Sequence, residues 1–144
     1  MSKQVRSLIS LMMSLVILLS VNVWGGAAVS AEATQVQPRL SYTNFTFTGL
    51  DITTTGLACC TANVEGYDGI TTKIHIKMTL QKYTLLWWSD QATWEGTFND
   101  VVGTLCANKY VSSGTYRVKA VYTVYSGSAS ETINTTSLEK KCNL

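Results

Sequence analysis

Apolar and polar residues alternate strictly over residues 73–81, within a strand predicted at 73–83. Ile74, Ile76, Met78 and Leu80 fall on one parity, and Lys73, His75, Lys77, Thr79 and Gln81 on the other. Successive side chains of a strand point to opposite faces, so this run predicts an antiparallel strand with one buried and one wetted face. Residues 115–125 repeat the pattern. Tyr116, Val118, Ala120, Tyr122 and Val124 form the apolar row, with Arg117, Lys119 and Thr123 opposite. Over residues 57–64, Ala58, Cys60, Ala62 and Val64 share a row. Further strands are predicted at 41–48, 88–98, 101–110 and 130–138, and a short one at 50–55. The breaks fall at Gly49, at 66–69, at Asn99-Asp100, at Ser112-Ser113-Gly114 and at Ser126-Gly127-Ser128. No helix-period stretch follows residue 31. Seven or eight short strands at this spacing predict an all-β fold, an antiparallel two-sheet β-sandwich.

Ser112-Ser113-Gly114-Thr115-Tyr116-Arg117-Val118 resembles the start of the F strand in an immunoglobulin-like domain. There a glycine turn precedes a tyrosine whose hydroxyl bonds back across the corner. Val118 stands where antibody-type domains carry a cysteine, so the usual inter-sheet disulfide is not expected. An immunoglobulin-like or fibronectin-like sandwich is the expectation, with a jelly roll as the alternative.

Before residue 32 the pattern changes. Lys3 and Arg6 precede an uncharged apolar run over residues 8–23, then small residues ending at Ala31. This is the layout of a secretory signal peptide. The expected organisation is a signal peptide over 1–31, a short linker over 32–40 and the sandwich over 41–144. Cleavage is expected after Ala31, with Ala33 as a second position. The rival reading is a retained anchor, since no charge occurs between Arg6 and Glu32. After cleavage no membrane span is expected, and the expected location is outside the cell or at its envelope.

Charge narrows the partners. The eleven basic and nine acidic residues give +2. Without Lys3 and Arg6 the balance is neutral, and Lys140-Lys141 is the one remaining basic doublet. Neither nucleic acid nor an anionic membrane gains bulk attraction from such a chain.

All four cysteines, Cys59, Cys60, Cys106 and Cys142, follow the leader. In an exported chain they are expected to form structural disulfides. Cys59 and Cys60 should point to opposite faces, each reaching Cys106 or Cys142, with the pairing open. The spacings of a redox or zinc motif are missing.

No catalytic constellation is visible. His75 is the one histidine and sits between two lysines on a polar row. The carboxylates are scattered near predicted turns and strand ends. Asp51, Glu65, Asp68 and Asp100 could meet calcium at loop ends, but no acidic loop motif supports it. No enzyme activity, cofactor or metal is expected. The aromatics carry the functional lead. Trp88 and Trp94 share a parity that would place them in the core. Trp87 would then point outward with Tyr83 and Leu85, forming a candidate binding face, provided no turn interrupts it.

Leu80-Gln81-Lys82-Tyr83, Trp87-Trp88, Trp94, Gly114-Thr-Tyr-Arg-Val-Lys119 and Glu131 together resemble a family of small exported proteins of Gram-positive bacteria. That family has no established activity. The resemblance implies an extracellular bacterial protein and no chemistry. The resulting expectation is a secreted, non-catalytic binding domain for an extracellular protein or glycan. The alternatives are a bacteriocin-like or toxin-like effector and, last, an extracellular enzyme.

Overall fold

The computed structural model describes residues 40–144. The expected signal peptide, its cleavage point and nearly all of the linker lie outside the described residues. The strands are β1 (Thr43–Ile52), β2 (Leu57–Gly66), β3 (Lys73–Thr84), β4 (Trp87–Phe98), β5 (Val102–Tyr110), β6 (Gly114–Ser126), β7 (Ala129–Thr136) and β8 (Lys140–Cys142). They form two antiparallel sheets. One has the order β1-β2-β5; the other runs β4-β3-β6-β7, with β8 also paired to β6.

The three apolar rows meet in one core. Ala58, Cys60, Ala62 and Val64 of β2 face Ile74, Ile76, Met78 and Leu80 of β3. Tyr116, Val118, Ala120, Tyr122 and Val124 of β6 complete it, and all are buried. Each large aliphatic side chain taken out of water contributes about 1.5–3 kcal/mol. Tyr122 is buried whole, yet its hydroxyl is satisfied. It donates to the Phe47 carbonyl of β1 at 2.6 Å and also contacts Thr48 Oγ1. That hydroxyl ties the two sheets together, and burial raises its pKa.

Two strand boundaries differ from expectation. Residues 50–55 are not a separate strand, because β1 runs unbroken through Gly49. The Phe47 ring lies where a β-carbon at residue 49 would sit, 2.9 Å from it, so the glycine accommodates an aromatic and not a turn. The strand predicted at 130–138 is β7, and the strand β8 beyond it is not among those expected. β7 ends at Thr136, and after Ser137, whose amide bonds the Val118 carbonyl, β8 pairs with the start of β6.

The strand directions define two ends. At one, the β1–β2 turn, the β3–β4 turn and the β5–β6 connection lie together. The Val111 amide bonds the Gly56 carbonyl there, and Ser113 bonds the Leu144 carbonyl. We call this the hairpin end. The opposite end carries the β2–β3, β4–β5 and β6–β7 connections.

Candidate binding surface at the β3–β4 hairpin

The register of β3 against β4 sets where the tryptophans go. Met78 pairs with Trp94 and Leu80 with Ala92, but Gln81 pairs with Asp90. Gln91 is therefore an extra residue, a β-bulge that shifts the phase of β4 by one. Before the bulge the parity is reversed. Trp94 packs against the core, as even spacing suggested, but Trp88 does not join it. Trp88 opposes Tyr83 on the outer face, with ring centroids 5.3 Å apart.

Trp87 is on the other parity and pairs with Thr84. It projects past the end of the core and is 62 % exposed. Leu85 and Leu86 form the two-residue turn at the tip, 90 % and 82 % exposed. Tyr83, Leu85 and Trp87 are thus all exposed, but they do not form one strip. The turn separates them, and Tyr83 keeps company with Trp88. The bulge leaves no mark in the sequence, which is why parity alone assigned Trp88 wrongly.

Trp88 is not free to stack on a ligand. The Arg117 guanidinium lies over its ring at 4.1 Å. Arg117 Nε in turn donates to Gln81 Oε1 at 2.9 Å, and Gln81 Nε2 donates to Asp90 Oδ1 at 2.7 Å. These contacts fix the outer face next to the hairpin as a rigid polar base. A depression of about 190 Å³ lies beside it, between Lys77, Thr79, Gln81, Asp90, Lys119 and Val121.

The tip itself is held in a costly conformation. Leu85 has φ of +53°, and it is the one non-glycine residue with positive φ among the described residues. An L-residue with a β-carbon gives up about 1–2 kcal/mol in that region. Thr84 Oγ1 donates to the Trp87 carbonyl at 3.2 Å and closes the turn.

The other candidate groups are dispersed. His75 Nδ1 lies 3.0 Å from Thr97 Oγ1, and Nε2 lies 4.0 Å from Glu95, whose carboxylate pairs with Lys77 at 3.2 Å. Glu131 accepts from the Ser41 and Tyr42 amides at 2.8 and 2.9 Å, fastening the start of the domain to β7. Glu65, Asp68 and Asp100 lie toward the opposite end, while Asp51 pairs with Cys59 near the hairpin end. No three potential metal ligands converge among the described residues.

The cysteines correct an expectation. All four are free thiols and the expected bridges are not formed. Cys59 and Cys106 do share the outer face of β2 and β5. Yet Cys59 opposes Asn108, and Cys106 opposes Thr61. Such a diagonal offset spans about 7–8 Å, beyond the usual Cα separation of a disulfide. Cys60 is buried halfway along β2, and Cys142 is buried in β8 opposite Gly114, in the other sheet. Burial, with the neighbouring Cys59, pushes the Cys60 thiol up to about 11.

Four exposed aromatics, Phe45, Phe47, Tyr67 and Tyr110, are not singled out by the alternation of the sequence. Phe45 and Phe47 are half exposed on the outer face of the three-stranded sheet. The alternation in 41–48 placed them on one row but could not say which row faces water. No family model, curated protein or solved structure matches the chain.

Proposed function

We propose that the chain is a secreted, non-catalytic binding domain of the cell envelope or its surroundings, and that the β3–β4 hairpin is its contact surface. The observation that carries this reading is the run Leu85-Leu86-Trp87, three consecutive large apolar side chains left in water on a strained turn. Exposed apolar clusters of this kind mark interaction sites, and backbone strain gathers at such sites. Export is supported by the residue pattern before position 32. An immunoglobulin-like or fibronectin-like type is supported by the Tyr116 hydroxyl, which donates to the Ser112 carbonyl at 2.9 Å, as in a tyrosine corner. The placement of β4 beside β3, away from the sheet of β1, β2 and β5, favours the fibronectin-like variant over the antibody constant type.

The test is retention on cell-envelope fractions by the protein collected from the medium of cells producing the full chain. Trp87→Ala should weaken retention at least about fivefold, since a truncated contact aromatic typically costs an interface 1–4 kcal/mol. The melting temperature should barely move, because Trp87 lies outside the core. His75→Ala should leave both readouts unchanged. Retention that ignores the hairpin, or depends on His75, overturns the reading.

A further inference from the structure

We propose that the hairpin end docks on an anionic lipid surface, with the tip of the β3–β4 hairpin entering the boundary between headgroups and acyl chains. The inference rests on the binding reading above and names its partner. Its basis is the sorting of side chains between the two ends of the domain.

Among the described residues, six large hydrophobic side chains are more than 60 % exposed: Leu85, Leu86, Trp87, Tyr110, Leu138 and Leu144. All lie in the half of the domain that holds the hairpin end. Leu85 and Leu86 form its β3–β4 turn, and Tyr110 ends β5. Leu144 contacts Ser113, and Leu138 precedes β8. A pair of leucines on a convex tip has no flat complement. A fluid apolar phase can close around it, and tryptophan is suited to the layer just above.

Charge is sorted the same way. The hairpin half holds six basic side chains, Lys82, Lys109, Arg117, Lys119, Lys140 and Lys141, against Asp51, Asp90 and Glu139, while Lys77 and Glu95 pair with each other near the middle. Asp90 is already engaged by Gln81. Lys109, Lys140 and Lys141 are exposed and make no salt bridge among the described residues. The opposite end is acidic, with Glu65, Asp68, Asp100 and Glu131 against Lys73. An anionic surface therefore attracts one end and repels the other, which presents the leucine tip to the lipid. The sequence expectation of no pull toward anionic membranes came from a net charge of zero, and net charge does not record this segregation.

The experiment is co-sedimentation of the exported protein with vesicles of phosphatidylcholine alone and of phosphatidylcholine with phosphatidylglycerol. The wild type should partition at least about tenfold better into the anionic vesicles. The double variant L85N/L86N should lose at least about tenfold of that binding. Asparagine tolerates positive φ, so the turn should survive, and an unchanged melting temperature verifies it. K140Q/K141Q, remote from the turn, should bring anionic binding down toward the neutral level. Equal binding to both vesicle types, or binding indifferent to Leu85 and Leu86, overturns the proposal. So does a wild-type dimer that L85N/L86N converts to monomer with vesicle binding unchanged, since a second copy then covers the tip. If vesicles are ignored while Trp87-dependent retention on protein or glycan fractions persists, the lipid assignment alone fails. If hairpin variants change nothing on any fraction, the binding reading fails with it.

Discussion

Tyr116 and Tyr122 are six residues apart on β6, and each spends its hydroxyl on a main-chain carbonyl outside the β6 ladder. Tyr116 fastens the chain just before its own strand, at Ser112, and Tyr122 reaches across to β1. Tyr116→Phe should lower stability by about 0.5–1.5 kcal/mol, the net value of one hydrogen bond, read from the denaturation midpoint at constant slope. Tyr122→Phe should cost more, about 1–3 kcal/mol, because it leaves the Phe47 carbonyl and Thr48 with a lost partner in the interior. The thiols are likewise told apart by position. A maleimide at pH 8 should label Cys106 first and Cys59 next. Cys60 should stay unlabelled until the fold opens, being buried and three pH units below its own titration. A native protein that labels nowhere would mean that the thiols have paired.

Most of the strands were legible because each central one buries a single face. The rows on β2, β3 and β6 are strict enough that any one-residue slip would put them in water. What could not be read is where a strand changes phase or declines to stop. Gly49 looks like a break, yet the ring of Phe47 covers it. Gln91 looks like any strand residue, yet it turns Trp88 outward and Trp87 to the other side. The candidate surface was therefore found in part. The exposure of Tyr83, Leu85 and Trp87 was legible, but their arrangement depends on a bulge and a turn. That turn carries its own test. Leu85→Gly removes the cost of the left-handed conformation and should raise stability by about 0.5–1 kcal/mol, set against the wider freedom of glycine when unfolded. The same change should weaken hairpin-dependent retention, so that stability and binding move in opposite directions. A loss of stability would argue that the leucine makes contacts that outweigh the strain.

At the scale of the whole domain, charge matters by its distribution. A basic, apolar end and an acidic end give the described residues, whose charges balance, a direction, and that is invisible until the strands are laid side by side. Raising the ionic strength from about 0.05 to 0.5 M shortens the screening length from roughly 14 to 4 Å. Adsorption of the protein to phosphatidylglycerol vesicles should accordingly fall several-fold across that range, with sedimentation as the measure; salt-independent adsorption would leave the lysines without a role. The sandwich also has borders. β4 pairs only with β3, and β5 only with β2, so each leaves one row of amides and carbonyls unpaired. An open strand margin invites the margin of another molecule. On β4 the extra residue at Gln91 interrupts the spacing of those groups, and Asp90 and Glu95 put charge on either side of it. The irregularity that turns Trp88 outward thus also spoils β4 as a template. Without it, the domain would present an even eleven-residue ribbon to its own copies and would be prone to grow into fibres.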